Sequence, residues 1–90
     1  HKGTIENAYT LSDGEYEVIE AEIIETSELI NKEIKNSNLP DELRIGAVLR
    51  DKKIIIPRSN FVFKKDDRVV FIVKKDSISF VENIFRLSSV

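Results

Sequence analysis

Three apolar runs separated by short charged segments occupy the chain from Arg44 to Val73, and their spacing constrains the fold more than any other feature. The first two runs predict strands over residues 45–49 and 53–56. Asp51 and Lys52 lie between them at the spacing of a β-hairpin loop. A glycine would suit the second turn position better than Lys52, because both central residues of a type I′ turn need a positive φ.

The remainder of this stretch predicts a further strand. Pro57 has no amide hydrogen for a ladder, so it ends the second strand or places it at a sheet edge. Phe61 to Phe63 fits a short extended piece, and the charged turn "KKDD" follows it. A strand is then predicted over residues 67–73, and its run "VVFIV" is typical of a strand buried on both faces.

The N-terminal part of the chain predicts a linker followed by a strand. Residues 1–13 have weak periodicity and end in the turn signal "LSDG", so we assign them to a linker or tag remnant and the domain to residues 14–90. A strand is predicted over residues 15–25. Because the sequence has no methionine, we expect it to be a domain excised from a longer protein.

A short helix is predicted between the first strand and the hairpin. The pair Thr26-Ser27 can cap its first turn by accepting a hydrogen bond from a free amide. Ile30 and Ile34 stand four residues apart and form a short apolar stripe, and Pro40 lies beyond the helix end.

A final helix is predicted to begin near Asp76 or Ser77 and to carry a wide apolar face. Two roles are open for this face, covering the sheet or packing against a second copy of the chain. The predicted fold is therefore a compact α+β sandwich with a small mixed or antiparallel sheet and two helices, in the order strand, helix, hairpin, strand, helix. The residues of the apolar face are Phe80, Val81, Ile84 and Phe85.

The composition excludes several classes of function. The chain has 14 basic and 16 acidic residues and a net charge of −2, which argues against nucleic-acid binding through phosphate neutralisation. It has no cysteine, so disulfides and cysteine zinc sites are excluded. No apolar run approaches the roughly 18 residues of a membrane span, so direct membrane insertion is not expected.

Side chains suited to catalysis are scarce. The only histidine is His1, and the three glycines are too scattered to form a G-x-G-x-x-G dinucleotide loop. The carboxylate pairs Glu20/Glu22 and Asp66/Asp67 lack any sign of the cleft that acid–base catalysis needs, so we expect them to be solvated. We therefore expect a binding or interaction module that is not an enzyme and holds no catalytic or metal site.

The chain resembles the TrkA C-terminal domain, also called the RCK C-terminal domain, from about Gly14 to Phe85. The segment "GEYEVIEAEI" is similar to the family's first strand with its acidic centre. From Thr26 to Val73 the family order follows: a serine before a short helix, Leu-Pro, a strand ending in Arg-Asp, a strand ending in Ile-Pro, a charged turn ending in Asp, and a final apolar strand. The family usually has Arg-Asp-Gly at the hairpin and Gly-Asp in the charged turn, where this chain has Lys52 and Asp66 in place of glycine.

The resemblance implies a cytosolic regulatory domain of a potassium uptake or channel system, located at the inner face of the membrane through its partner. That partner is a membrane transporter subunit or a fused transport domain, and gating would follow ligand-dependent rearrangement of a homodimer. A nucleotide would belong to a preceding Rossmann lobe, so no cofactor is expected in this domain. The alternatives are a ligand-free dimerisation or docking module, and the same domain on an antiporter or other cation transporter.

The resemblance also implies a ligand site. In family members that bind cyclic di-AMP, the cleft between two copies is lined by the first helix, the residues after it and the proline-ended strand. For Leu29 and Ile30 we favour an ordinary core role over a ligand role, and Ser59 stands in the region where those members often carry a histidine. The matching residues here are Leu29, Ile30, Lys35, Pro57, Arg58 and Ser59.

Overall fold

The computed structural model describes residues 5–11 and 13–86 and contains one five-stranded sheet in the order β1-β2-β5-β3-β4, in which every pair is antiparallel. A C-terminal helix covers one face of this sheet, which confirms the predicted α+β class. The elements are β1 (Ile5–Thr10), β2 (Tyr16–Glu22), β3 (Arg44–Arg50), β4 (Lys53–Ile55), β5 (Arg68–Lys74) and α1 (Ile78–Phe85), with 3-10 turns at Ile34–Asn36 and Lys75–Ser77.

Strand β5 lies at the centre of the sheet. Alternate side chains, Val69, Phe71 and Val73, are fully buried in the core cluster that also contains the buried residues of α1. On the other face Ile72 keeps 40% of its surface exposed. The prediction that this strand is buried on both faces is therefore wrong, because only one face of the antiparallel sheet is covered.

Helix α1 packs its apolar face on the sheet. Val81, Ile84 and Phe85 are buried, and the Phe85 ring stacks on the Phe71 ring with 5.2 Å between centroids. Phe80 remains exposed. Most of the predicted apolar face thus covers the sheet of its own chain. No helix in the described ranges 5–11 and 13–86 has the length and apolar character that crossing a membrane requires.

The segment predicted as a linker contains strand β1. It pairs with β2 through residues such as Tyr9, which lies opposite Val18. Only Ile5 packs against the core, and the other five residues are exposed. Because β1 is held mainly by backbone pairing with β2 and buries few side chains, its sequence shows little of the hydrophobic periodicity by which a strand is predicted. Residues 1–4 lie outside the described residues, as do 87–90.

The predicted helix near residues 28–36 is not an α-helix. Turns occupy this region, Asn31 has a left-handed φ of 63°, and only Ile34–Asn36 forms a 3-10 turn. The amides of Ile34 and Lys35 donate to the carbonyls of Phe61 and Ser59, at 3.0 and 2.9 Å, instead of to preceding residues. Pairing with a distant segment therefore replaces local helix formation.

Ser27 stabilises the start of this turn region, as its predicted capping role implies. Its buried hydroxyl accepts a hydrogen bond from the Leu29 amide at 3.1 Å and donates one to the Ile84 carbonyl at 2.9 Å. The amide of Glu28 also donates to the Ile84 carbonyl, at 3.1 Å. These bonds attach the turn region to the C-terminal part of α1.

The hairpin turn has the backbone geometry that its length predicts. Asp51 and Lys52 have φ values of 51° and 66°, so both central residues lie in the left-handed region that a type I′ turn requires. A side chain in this region costs about 1–2 kcal/mol, and glycine largely avoids this cost.

Replacing Lys52 by glycine should therefore stabilise the chain by about 0.5–1 kcal/mol, after allowance for the greater freedom of glycine in the unfolded state. Thermal and urea unfolding would measure the change. The matched control is Lys53→Gly in β4, which should destabilise the chain because glycine weakens a strand interior. A Lys52→Gly variant that unfolds at a lower temperature than the parent would contradict the turn assignment.

Candidate ligand-binding groove

A groove of about 420 Å³ lies beside the beginning of β3 and the segment that follows β4. Its apolar lining includes Leu39, Ile45 and Pro57. Hairpin pairing explains this arrangement: Ile55 lies opposite Val48, so the chain beyond β4 returns towards the first residues of β3. A proline ring and two aliphatic side chains provide surfaces on which a flat apolar group can pack.

Among the described residues, the charged side chains that line the groove are mainly basic: Lys35, Arg44 and Arg58 against the carboxylate of Asp41. Arg44 braces the loop before β3 by donating from Nη1 to the carbonyls of Asp41 and Leu43. Lys35 Nζ lies 4.0 Å from a carboxylate oxygen of Glu33, a weak pairing in an exposed position. Within the described part of the chain Arg58 forms no ion pair, so its guanidinium is available to an anion.

Four of the six site residues predicted from the resemblance line this groove, namely Lys35, Pro57, Arg58 and Ser59. Leu29 does not, because it is 1% exposed and belongs to the core. Ile30 is half-buried and packs against that core. Both residues adopt the core role that the sequence left open, and the ligand role of the other four stays a prediction.

Several groove residues were not predicted. Leu39 and Pro40 form part of its lining, and Arg44 and Ile45 supply the beginning of β3. Arg44 and Ile45 could have been predicted from the hairpin. Antiparallel pairing brings the segment after Pro57 back towards the start of the first hairpin strand, where these two residues lie. The Leu39-Pro40 contribution depends on the path of the loop, for which the sequence gives no local signal.

One side of the groove is built on a short backbone ladder, which we call the wall ladder and define as segments 31–35 and 59–63. Asn31 donates to the Phe63 carbonyl at 2.9 Å, and Phe63 donates to the Lys32 carbonyl at 3.0 Å. Two further bonds, from Ile34 and Lys35, continue the ladder to Ser59. Lys35 and Ser59 therefore stand at the groove end of a hydrogen-bonded element.

An ion pair between Arg50 and Asp67 lies at the other end of the wall ladder. Arg50 Nε donates to Asp67 Oδ1 and Arg50 Nη2 to Oδ2, both at 2.7 Å. Asp67 is only 1% exposed, and its Oδ2 also accepts the Lys64 amide at 2.8 Å. Hydrogen bonding to Asp67 raises the pKa of the Arg50 guanidinium above its ordinary value, so Arg50 stays charged.

The burial of Asp67 corrects the expectation that both members of the Asp66/Asp67 pair are solvated. Asp66 is exposed, but Asp67 turns inward because its partner Arg50 satisfies both carboxylate oxygens. The signal in the sequence was the family pattern, in which an arginine ends one strand and an aspartate ends the charged turn. In the described residues no three side chains of the metal-ligating types come together as a site.

The fold of the chain is that of an RCK domain. A solved structure described as an RCK domain with cda superposes with a TM-score of 0.67, at 13% sequence identity, over 76% of this chain and 96% of that one. Residues 18–86 match the model of the TrkA-C domain, and the chain belongs to this family.

The chain is similar in sequence to potassium uptake proteins of bacteria and archaea. The Trk system potassium uptake protein TrkA of Azorhizobium caulinodans is 39% identical over 87 residues, which cover 97% of this chain and 19% of that protein. A TrkA homolog of Archaeoglobus fulgidus is 31% identical over 77 residues, covering 86% of this chain and 18% of that protein. The chain thus spans about a fifth of the length of these relatives.

Truncating Arg50 to alanine should destabilise the chain by about 3–5 kcal/mol, because it leaves the buried Asp67 carboxylate without its partner. The matched control is Arg68→Ala, whose guanidinium is more exposed and lies 3.8 Å from Glu6 and Glu20. That change should cost about 0–1 kcal/mol. Urea unfolding measures both, and equal midpoints for the two variants would contradict the importance of the pair.

Proposed function

We propose that this chain is a regulatory domain of a potassium uptake system that senses a small anionic ligand in the groove. The observation that carries the proposal is the groove itself, in which Lys35 and Arg58 stand beside the apolar surface of Pro57 and Ile45. Family membership and the potassium uptake role named for the relatives support the transport context. The domain acts by binding and is not proposed to catalyse a reaction.

Cyclic di-AMP is the ligand we propose to test first. Its adenine faces match aliphatic side chains and a proline ring, and its phosphates match lysine and arginine donors. The groove volume of about 420 Å³ lies within the usual range of ligand pockets, about 300–1,000 Å³. The description of the structural neighbour as an RCK domain with cda supports the presence of a ligand on this fold.

A homodimer would present two copies of the groove to one ligand across a two-fold axis. A ligand that prefers one dimer geometry shifts the population of that geometry by its differential affinity. A membrane transporter subunit or a fused transport domain would respond to this shift, and would hold the domain at the inner face of the membrane. The expected nucleotide of a preceding Rossmann lobe would bind outside this chain.

A second candidate function is ligand-free dimerisation or docking, on a potassium system, an antiporter or another cation transporter. The observation that favours it is the edge of the sheet at β4. Ile54 and Ile56 are 72% and 75% exposed there, and an edge strand offers unpaired backbone groups to a partner. This function needs no ligand in the groove.

Replacing Arg58 by alanine should weaken the binding of cyclic di-AMP while barely changing the melting temperature, because an exposed charge contributes little to folding. Calorimetric titration should show one ligand per two chains and an affinity that falls as salt rises. The matched control is Lys53→Ala, a nearby basic residue that does not line the groove. The absence of both binding heat and a thermal shift with millimolar cyclic di-AMP would refute this ligand and favour the docking function.

Sedimentation at micromolar concentration should give the mass of a homodimer. Replacing Ile56 by aspartate should dissociate it, since this exposed side chain lies next to the groove residue Pro57. Replacing Phe80 by aspartate is the matched control at another exposed apolar site, and it should leave the dimer intact. A monomer throughout the concentration range would contradict the dimer cleft.

A further inference from the structure

The carbonyl of Val62 is directed away from the wall ladder. In an extended segment successive carbonyls point to opposite edges. The carbonyls of Ser59, Phe61 and Phe63 accept hydrogen bonds from segment 31–35. The Val62 carbonyl instead accepts one from Arg50 Nη2 at 2.9 Å. Arg50 therefore occupies the edge of segment 59–63 at which a sheet would place another strand.

The guanidinium that binds this edge also contacts two further partners. Asp67 fixes its Nε and Nη2 atoms at 2.7 Å. The Phe61 ring lies 4.6 Å from its central carbon, in cation–π contact. The planar arginine fork can satisfy these partners together, whereas a lysine ammonium is a point charge without this geometry.

We propose that Arg50 is a positioning residue for the groove: it fixes the outer edge of segment 59–63 and thereby sets where the wall ladder holds Lys35 and Ser59. The competing interpretation is that the ion pair adds only global stability. The two differ in where the backbone loosens when Arg50 is replaced. The consequence for ligand affinity rests on the proposed function, but the positioning itself does not.

The test is amide hydrogen exchange of the 90-residue chain, followed by NMR without ligand. The double variant Arg50→Met/Asp67→Leu removes both charges and keeps apolar volume, an exchange that often preserves stability. The ladder amides of Ile34 and Lys35 should lose about tenfold or more in protection relative to the amides of β2 and β5, because the bond from Arg50 to the Val62 carbonyl and the bond from the Lys64 amide to Asp67 are both lost beside segment 59–63.

Two single variants keep the result decisive even where the double variant folds poorly. Arg50→Lys retains a cation beside Asp67 without the arginine fork, and should also lose ladder protection selectively. Val70→Ala is the control. Val70 lies on the sheet face opposite the core, so its truncation should lower the stability of the chain without removing a contact of the wall ladder. Loss of protection in Arg50→Lys that is uniform over the chain, as in Val70→Ala, would overturn the proposal.

A titration with cyclic di-AMP separates this inference from the proposed function. If cyclic di-AMP binds Arg50→Lys more weakly than the parent under conditions in which both chains are fully folded, the positioning role extends to ligand affinity. A parent chain that does not bind cyclic di-AMP would refute that ligand, while the exchange pattern would still decide the role of Arg50.

Discussion

The ion pair of Arg50 and Asp67 joins the end of one hairpin strand to residues that lie 12 and 17 positions further along the chain. It connects the end of β3 to the residue before β5, and through the Val62 carbonyl it reaches the segment between β4 and β5. A buried ion pair by itself contributes little net stability, because desolvation offsets most of the attraction. Its directional hydrogen bonds are a better reason for its presence, since a hydrophobic pair of equal volume could not fix the position of a carbonyl.

The backbone around this pair adopts conformations that are unfavourable for the residues present. Asp66 has a φ of 72°, in the left-handed region that the family usually fills with glycine. The turn is nevertheless held on both sides, since Asp66 donates to the Ile23 carbonyl and Ile23 donates to the Asp67 carbonyl, both at 2.8 Å. These two hydrogen bonds fix the turn to the chain just after β2, in a position from which the Asp67 carboxylate reaches Arg50. They compensate for the unfavourable backbone conformation of Asp66.

Local patterns in the sequence predicted the parts of the fold that local forces determine. The strands predicted over 45–49, 53–56 and 67–73 correspond to β3, β4 and β5, because hydrophobic runs and a two-residue turn are visible within a few residues. The helix near residues 28–36 failed because its amides bond to a segment far along the chain. Asp67 was assigned to solvent for the same reason, as its partner lies 17 residues away.

The candidate groove combines both kinds of information. Pro57 and Arg58 were assigned to the site by the family resemblance, whereas Leu39 and Asp41 lie on a loop whose path depends on tertiary packing. For a ligand in this groove to be sensed, its binding must favour one of two arrangements of something beyond the groove. The wall ladder supplies a physical connection between the two places, because it carries Ser59 at the groove and Val62 at the ion pair. A displacement of Ser59 by a ligand would therefore act on the guanidinium that joins β3 to β5, and through it on the sheet.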